Sequence, residues 1–108
     1  MLRQDYITRM VQEMVRMLLK LMFGIEAESP DLEMFRDAQA RERTERLLML
    51  ADEGRIDEAE NELSDILESC VPEHMQTGLL FYWHLNEKDD AFLETHDFSR
   101  EEIRDGLE

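Results

Sequence analysis

His74, His84, His96 and Cys70 are the side chains of this sequence best suited to hold a metal ion or to serve as a base or nucleophile. Cys70 and His74 stand four residues apart, a usable ligand spacing on one helix, but Pro72 lies between them and breaks the helix that the spacing requires. The residues three before each histidine are Val71, Phe81 and Leu93. The Glu-x-x-His pair of di-iron carboxylate bundles is therefore missing, as are His-Glu-x-x-His and Cys-x-x-Cys. The acidic run Asp52-Glu-Gly-Arg-Ile-Asp-Glu58 invites a calcium-loop reading. With Gly54 at the sixth loop position, however, Met49 and Ala51 fall where the first and third oxygen ligands belong. Ser29, Ser64, Ser69 and Ser99 have no glycine elbow around them, and four glycines form no phosphate loop. The many carboxylates are scattered as on a solvated surface, without the pairing that acid–base catalysis needs. No catalytic, cofactor-binding or metal-binding residue is expected, and the chain is expected not to be an enzyme.

The remaining residues must therefore be read for architecture. At 108 residues, with 43% hydrophobic and 36% charged side chains, the chain is long enough to bury a core without disulfides and is expected to form a single all-helical domain. A lone cysteine can form no internal disulfide, which suits a reducing cytoplasm. The charged residues among the first twenty exclude a signal-peptide core or a membrane span there. Net charge is −15 and unevenly placed: residues 1–24 carry a local +2, and residues 25–108 carry −17. Charge of that sign repels phosphate backbones, so no nucleic-acid partner is expected.

The organisation expected is a basic amphipathic helix in residues 1–24, an acidic connector over 25–29 and an acidic helical body over 30–108. In the first helix, from about Asp5 to Phe23, Ile7, Met10, Val11, Met14, Met17, Leu18, Leu21 and Met22 recur three and four apart. Val15 and Leu19 widen that stripe beyond what one neighbouring helix needs, and Gly24 is placed as a stop. Ser29 and Pro30 read as the cap and first residue of a second helix. That helix is either long, with an exposed Arg/Glu middle, or broken between Asp37 and Thr44. Leu47, Leu48, Leu50 and Ala51 precede a Gly54 stop. Asp57, with Glu60 three residues on, reads as the cap of the next helix. Pro72 opens a helix apolar around most of its circumference, hence central, with Asn86 as a left-handed terminator. A short helix from about Lys88 to His96 follows. Ser99 and Glu102 then form a capping box, with Phe98 and Ile103 at the positions of a hydrophobic staple. No alternating strand pattern survives, so the fold class is all-α, a compact bundle or array of five to seven helices.

Gly54-Arg-Ile-Asp-Glu-Ala59, with Leu63 four residues after Ala59, resembles the turn and second helix of a tetratricopeptide repeat. In that family a Gly-x-aromatic-x-Glu-Ala turn precedes an Ala-x-x-x-aromatic helix. Pro72 lies one residue later than the family's closing proline. Arg46-Leu47 and Leu50 stand where the family has Leu-Gly and an aromatic. Leu80, Lys88 and Asp90 echo Leu47, Arg55 and Asp57 about 33 residues on, near the period of such repeats. The resemblance implies antiparallel helical hairpins of the kind used to bind proteins. Over most of its length the chain also resembles an uncharacterised bacterial family of small helical proteins. The marks are the basic first helix, the Asp-Glu-Gly-x-Ile-x-Glu-Ala-Glu-Asn hairpin and the closing Phe-Ser-Arg-Glu-Glu-Ile. That resemblance implies no activity.

The function expected is that of a helical protein–protein interaction or oligomerisation module, with a homo-oligomer, and a dimer first, as the favoured assembly. Its interaction surface is expected on the first helix, at Met10, Met14, Met17, Leu18 and Leu21 with Arg9, Arg16 and Lys20. Methionine thioethers adapt to varied surfaces, and the basic side chains oppose an acidic body. The alternative use of the same helix is attachment to an anionic lipid surface, which the charge of the remaining chain opposes.

Overall fold

The computed structural model describes residues 2–69 and 71–107, with side chains from Tyr6 onward, so Cys70 and its spacing to His74 lie outside the described residues. The helices are α1 (Leu2–Phe23), α2 (Ala38–Asp52), α3 (Ile56–Leu67), α4 (Pro72–Asn86), α5 (Asp90–Thr95) and α6 (Arg100–Leu107), with a 3-10 turn at Leu32–Met34. No strand occurs among the described residues, and the chain is all-α. α4 is the hub: it packs against α1, α2, α3 and α6, and α6 also packs on α1. Every residue from Gln76 to Trp83 is buried, together with Leu85 and Asn86. This is the arrangement expected of a helix with apolar side chains on nearly every face.

Glycine supplies two of the stops. Gly24, at φ +66°, ends α1 as its N–H donates to the Lys20 carbonyl. Gly54, at φ +83°, ends α2 in a Schellman turn. Its N–H donates to Ala51 O at 3.0 Å and the Arg55 N–H to Leu50 O at 2.9 Å. Those two backbone bonds close the turn, so α3 starts at once with Ile56, which is 2% exposed. The cap expected at Asp57 is therefore corrected: Arg55 takes the N-cap position without a side-chain bond, and Asp57 lies in the first turn. Glu60 does not close a capping box there, and instead accepts a 2.8 Å hydrogen bond from the Tyr82 hydroxyl.

Two more expectations are corrected. Ser29 caps nothing and Pro30 is buried outside any helix. Asp31 caps the 3-10 turn, accepting from the Glu33 N–H at 2.9 Å, and that turn delivers Phe35 to the core at 3% exposure. α2 begins only after the Asp37 carboxylate caps it through the Ala40 N–H, so the break precedes the Arg/Glu run, which stays helical. Asn86 is not left-handed: it ends α4 in helical conformation, and its side-chain amide donates to Thr8 O of α1 at 3.0 Å. Among the described non-glycine residues the left-handed one is Asp97, at φ +56°.

At the C-terminal end the expected Ser99 cap forms, and Asp89 supplies a further one that the sequence reading did not single out. Asp89 caps α5 through the Phe92 N–H. Ser99 and Glu102 exchange their bonds reciprocally, Ser99 N–H to Glu102 Oε2 at 2.7 Å and Glu102 N–H to Ser99 Oγ at 3.2 Å. Phe98 and Ile103 are 6% and 0% exposed, as a staple requires. No described helix is long and apolar enough to cross a membrane.

Candidate functional site

α1 carries more apolar surface than the core can take. Ile7, Val11, Val15 and Leu19, four apart, form the buried seam against α4 and α6, at 3%, 0%, 0% and 0% exposure. This reverses the sequence expectation, in which Val15 and Leu19 only widened the stripe. The apolar residues left over lie on the outer arc. Tyr6 is 68% exposed, Met17 53% and Leu21 73%, with Met10 and Met14 half-buried between them. Tyr6, Met10, Met14 and Met17, with Arg9 and Glu13, line a shallow groove along the helix. From Tyr6 to Leu21 this strip runs about 22 Å at the helical rise of 1.5 Å per residue.

The expected surface residues separate into three groups. Met10, Met14, Met17 and Leu21 share the outer arc, bordered by exposed Arg9 and Lys20. Leu18 turns the other way, into a cleft of about 180 Å³ that it shares with Met22, Leu67, Met75 and Leu107. Arg16 also leaves the strip. Its guanidinium lies 5.3 Å from the Trp83 ring centroid, and its Nε–H donates to Glu28 O at 2.9 Å, strapping the acidic connector across α1 and α4. Lys20 reaches the same connector through an exposed 3.9 Å ion pair with Glu26. Tyr6 and Glu13 belong to the strip and were missed by sequence reasoning. Their helical offset from Met10 and Met17 places them there once the inner face is known.

The histidines serve local structure. His74 bonds Ser69 Oγ at 2.6 Å, His84 Nε2 meets Asp52 Oδ1 at 2.7 Å, and His96 Nδ1 meets Phe92 O at 2.8 Å. Asp52 also pairs with Lys88. Burial pushes the Asp52 carboxyl up, but the hydrogen bonds and charges of Lys88 and His84 outweigh it and hold the group below the usual carboxylate range. Glu60 is shifted the other way. Burial raises it, the Tyr82 hydrogen bond offsets part of that, and nearby Glu102 and Asp57 add to the rise. Burial, then donation to Glu60, drives the Tyr82 phenol well above its ordinary value. No group of three or more His, Cys, Asp or Glu among the described residues could hold a metal ion.

Among the described residues one charged side chain is deeply buried, and it is structural. Arg100, 7% exposed, donates to Asp90 Oδ1 at 2.8 Å, to Asn86 O at 3.0 Å and to Lys88 O at 2.8 Å. It ties the start of α6 to the α4–α5 turn and lines the polar recess there together with its partners Asn86, Lys88 and Asp90.

The chain is all-helical and built on one buried helix, with a strip of methionine, leucine and tyrosine left exposed on its first helix. The chain belongs over residues 1–108 to a family of unknown function, DUF6483. No curated protein and no solved structure matches it.

Proposed function

We propose that this protein is a non-enzymatic helical module that associates with a second copy of itself through the outer face of α1. The observation that carries this is the exposure of Tyr6, Met17 and Leu21 in line with Met10 and Met14 on a helix whose opposite face already fills the core. Scattered exposed apolar residues are ordinary; a continuous strip along four turns is the pattern of an interface. The self-partner is supported by charge. The body carries −17 while residues 1–24 carry +2, so a contact through α1 keeps the two acidic bodies from meeting face to face.

The magnitudes favour a weak dimer. Eight to ten seam side chains, each gaining about 1 kcal/mol from the part still exposed, give on the order of 10 kcal/mol gross. Association costs about 4–15 kcal/mol, which leaves an affinity in the micromolar range or weaker. The α2–α3 hairpin is read as a tetratricopeptide-like unit in support of α1. The recurrence of Thr44 and Thr77 at a separation of 33 residues, facing each other across α2 and α4, supports that reading.

Light scattering from micromolar to near-millimolar concentration tests the function. A mass rising from monomer to dimer, abolished by Met17→Glu with Leu21→Glu at unchanged melting temperature, is the expected result. A strict monomer over that range overturns it. So does flotation with anionic vesicles that the same double substitution abolishes, since that assigns the strip to lipid.

A further inference from the structure

Met10, Met14, Met17 and Leu21 are spaced four, three and four residues apart, which is the repeat of a two-helix coiled-coil seam. The inner face of α1 has a different spacing: Ile7, Val11, Val15 and Leu19 are four apart throughout. The outer strip thus has the period for one further helix of similar length, lying alongside α1 and not across it.

We infer that two copies pair through α1 in antiparallel orientation, with Met14 layered against Met17 of the second copy, Met10 against Leu21, and Glu13 facing Lys20. This rests on the self-association proposed above and names its geometry. The charges select the direction. In an antiparallel pair the residue just before one seam position faces the residue three after the opposing one. Glu13 precedes Met14 and Lys20 follows Met17 by three, so each copy's Glu13 meets the other's Lys20, giving two ion pairs related by the two-fold axis. Both side chains are exposed and border the strip on one side. In a parallel pair Glu13 would instead face Leu18, which is turned into the cleft beside α4 and α6, and no charge pair forms.

Single cysteines report the orientation, in a Cys70→Ser background. Antiparallel pairing sets position 10 of one copy beside position 21 of the other, and keeps the two positions 10 about 16 Å apart along the axis. The Met10→Cys and Leu21→Cys variants are therefore expected to cross-link on oxidation only when mixed. Rapid cross-linking of either variant alone overturns the antiparallel register while leaving self-association standing. A mass that stays monomeric removes both. The charge pairs have their own readout, because reversing one charge converts two attractions into two repulsions. Glu13→Lys and Lys20→Glu are each expected to weaken dimerisation about tenfold, and the two together to restore it. Single reversals that leave the dissociation constant unchanged, or a double reversal that fails to rescue, overturn the Glu13–Lys20 pairing.

Discussion

The hydroxyls of Thr44 and Thr77 meet 2.8 Å apart where α2 packs on α4, and both side chains are completely buried. Thr44 Oγ1 also donates to Ala40 O at 2.8 Å, whereas the Thr77 contact with Glu73 O is 3.3 Å. One proton per hydroxyl allows two chains of donation, and the shorter carbonyl contact favours Thr77 to Thr44 and Thr44 to Ala40 O. Thr44→Val removes the acceptor on which Thr77 depends. It is expected to cost about 1–2 kcal/mol, against about 0.5–1 kcal/mol for Thr77→Val, where Thr44 keeps its donation. The double variant should cost less than the sum, because the second loss falls on a hydroxyl already deprived of its partner. Urea unfolding of the three variants checks the order, and equal single costs with strict additivity contradict the donation chain.

Gly24 and Gly54 share a left-handed backbone but have different surroundings. Nothing lies within 4 Å of the place a Cβ would occupy at Gly24. At Gly54 that place is already taken by the His96 ring, which lies tilted against the Phe92 ring at 4.4 Å between centroids. Gly24→Ala should therefore cost only the backbone term, about 1 kcal/mol. Gly54→Ala should cost about 2–3 kcal/mol, since the ring must also move. Adding His96→Ala to Gly54→Ala should recover the steric part but not the backbone part. Thermal melts of these three variants, with His96→Ala alone as reference, test this. If Gly24→Ala proves the costlier, steric contact with His96 is not what sets the Gly54 turn.

Asp52 makes part of the stability depend on pH. Its folded-state pKa lies below its unfolded value, so its contribution is complete above the ordinary carboxylate pKa, about 4. It is lost as pH falls through the lower folded value. Asp52→Asn should lower the melting temperature at neutral pH, and the difference from wild type should close on acidification toward pH 3. Glu60 has the opposite sign, its folded pKa being raised. Glu60→Gln, which still accepts from Tyr82, should be neutral or stabilising at pH 7, with no benefit left in acid. Melting curves against pH distinguish the two carboxylates. A widening Asp52→Asn difference in acid would show that the pairing with Lys88 and His84 does not control its titration.

What could be read from the residues depended on whether the decisive interaction was local. The Ser99–Glu102 box, the Gly24 and Gly54 stops and Pro72 at the head of α4 involve atoms within a few residues of each other, and each formed as expected. The inner face of α1 was not legible, because its apolar residues fit two arcs of the helix equally well. Only the positions of α4 and α6 decide that Val15 and Leu19 go inward and Met17 and Leu21 outward. Asp57 misled for a related reason: it has the residue type and spacing of a cap, but the closed Gly54 turn and the burial of Ile56 set the start of α3 two residues earlier. The period alone groups Met10, Met14, Met17 and Leu21 on one arc of α1, but not on the exposed one. The diversion of Arg16 to Trp83 required knowing that α4 lies beside it.

Arg100 offers the sharpest contrast between a charge that holds the fold and one that decorates it. Its guanidinium is buried and donates to two backbone carbonyls of the α4–α5 turn, Asn86 O and Lys88 O. Its carboxylate partner Asp90 is 55% exposed at the side chain. Removing the guanidinium strands carbonyls that water reaches poorly, so Arg100→Leu is expected to cost about 2–4 kcal/mol. Arg100→Lys should recover little, because an ammonium cannot direct separate N–H groups at three acceptors from one plane. Asp90→Asn should cost less than about 1 kcal/mol, since water replaces most of what an exposed carboxylate gives. The same measurement locates the effect. If the guanidinium acts as argued, Arg100→Leu should loosen α6 before the rest of the fold, and hydrogen exchange should rise first at the amides of residues 103–107. Protection in α6 that falls only together with that of α4 would place Arg100 in global stability and not in the docking of the last helix.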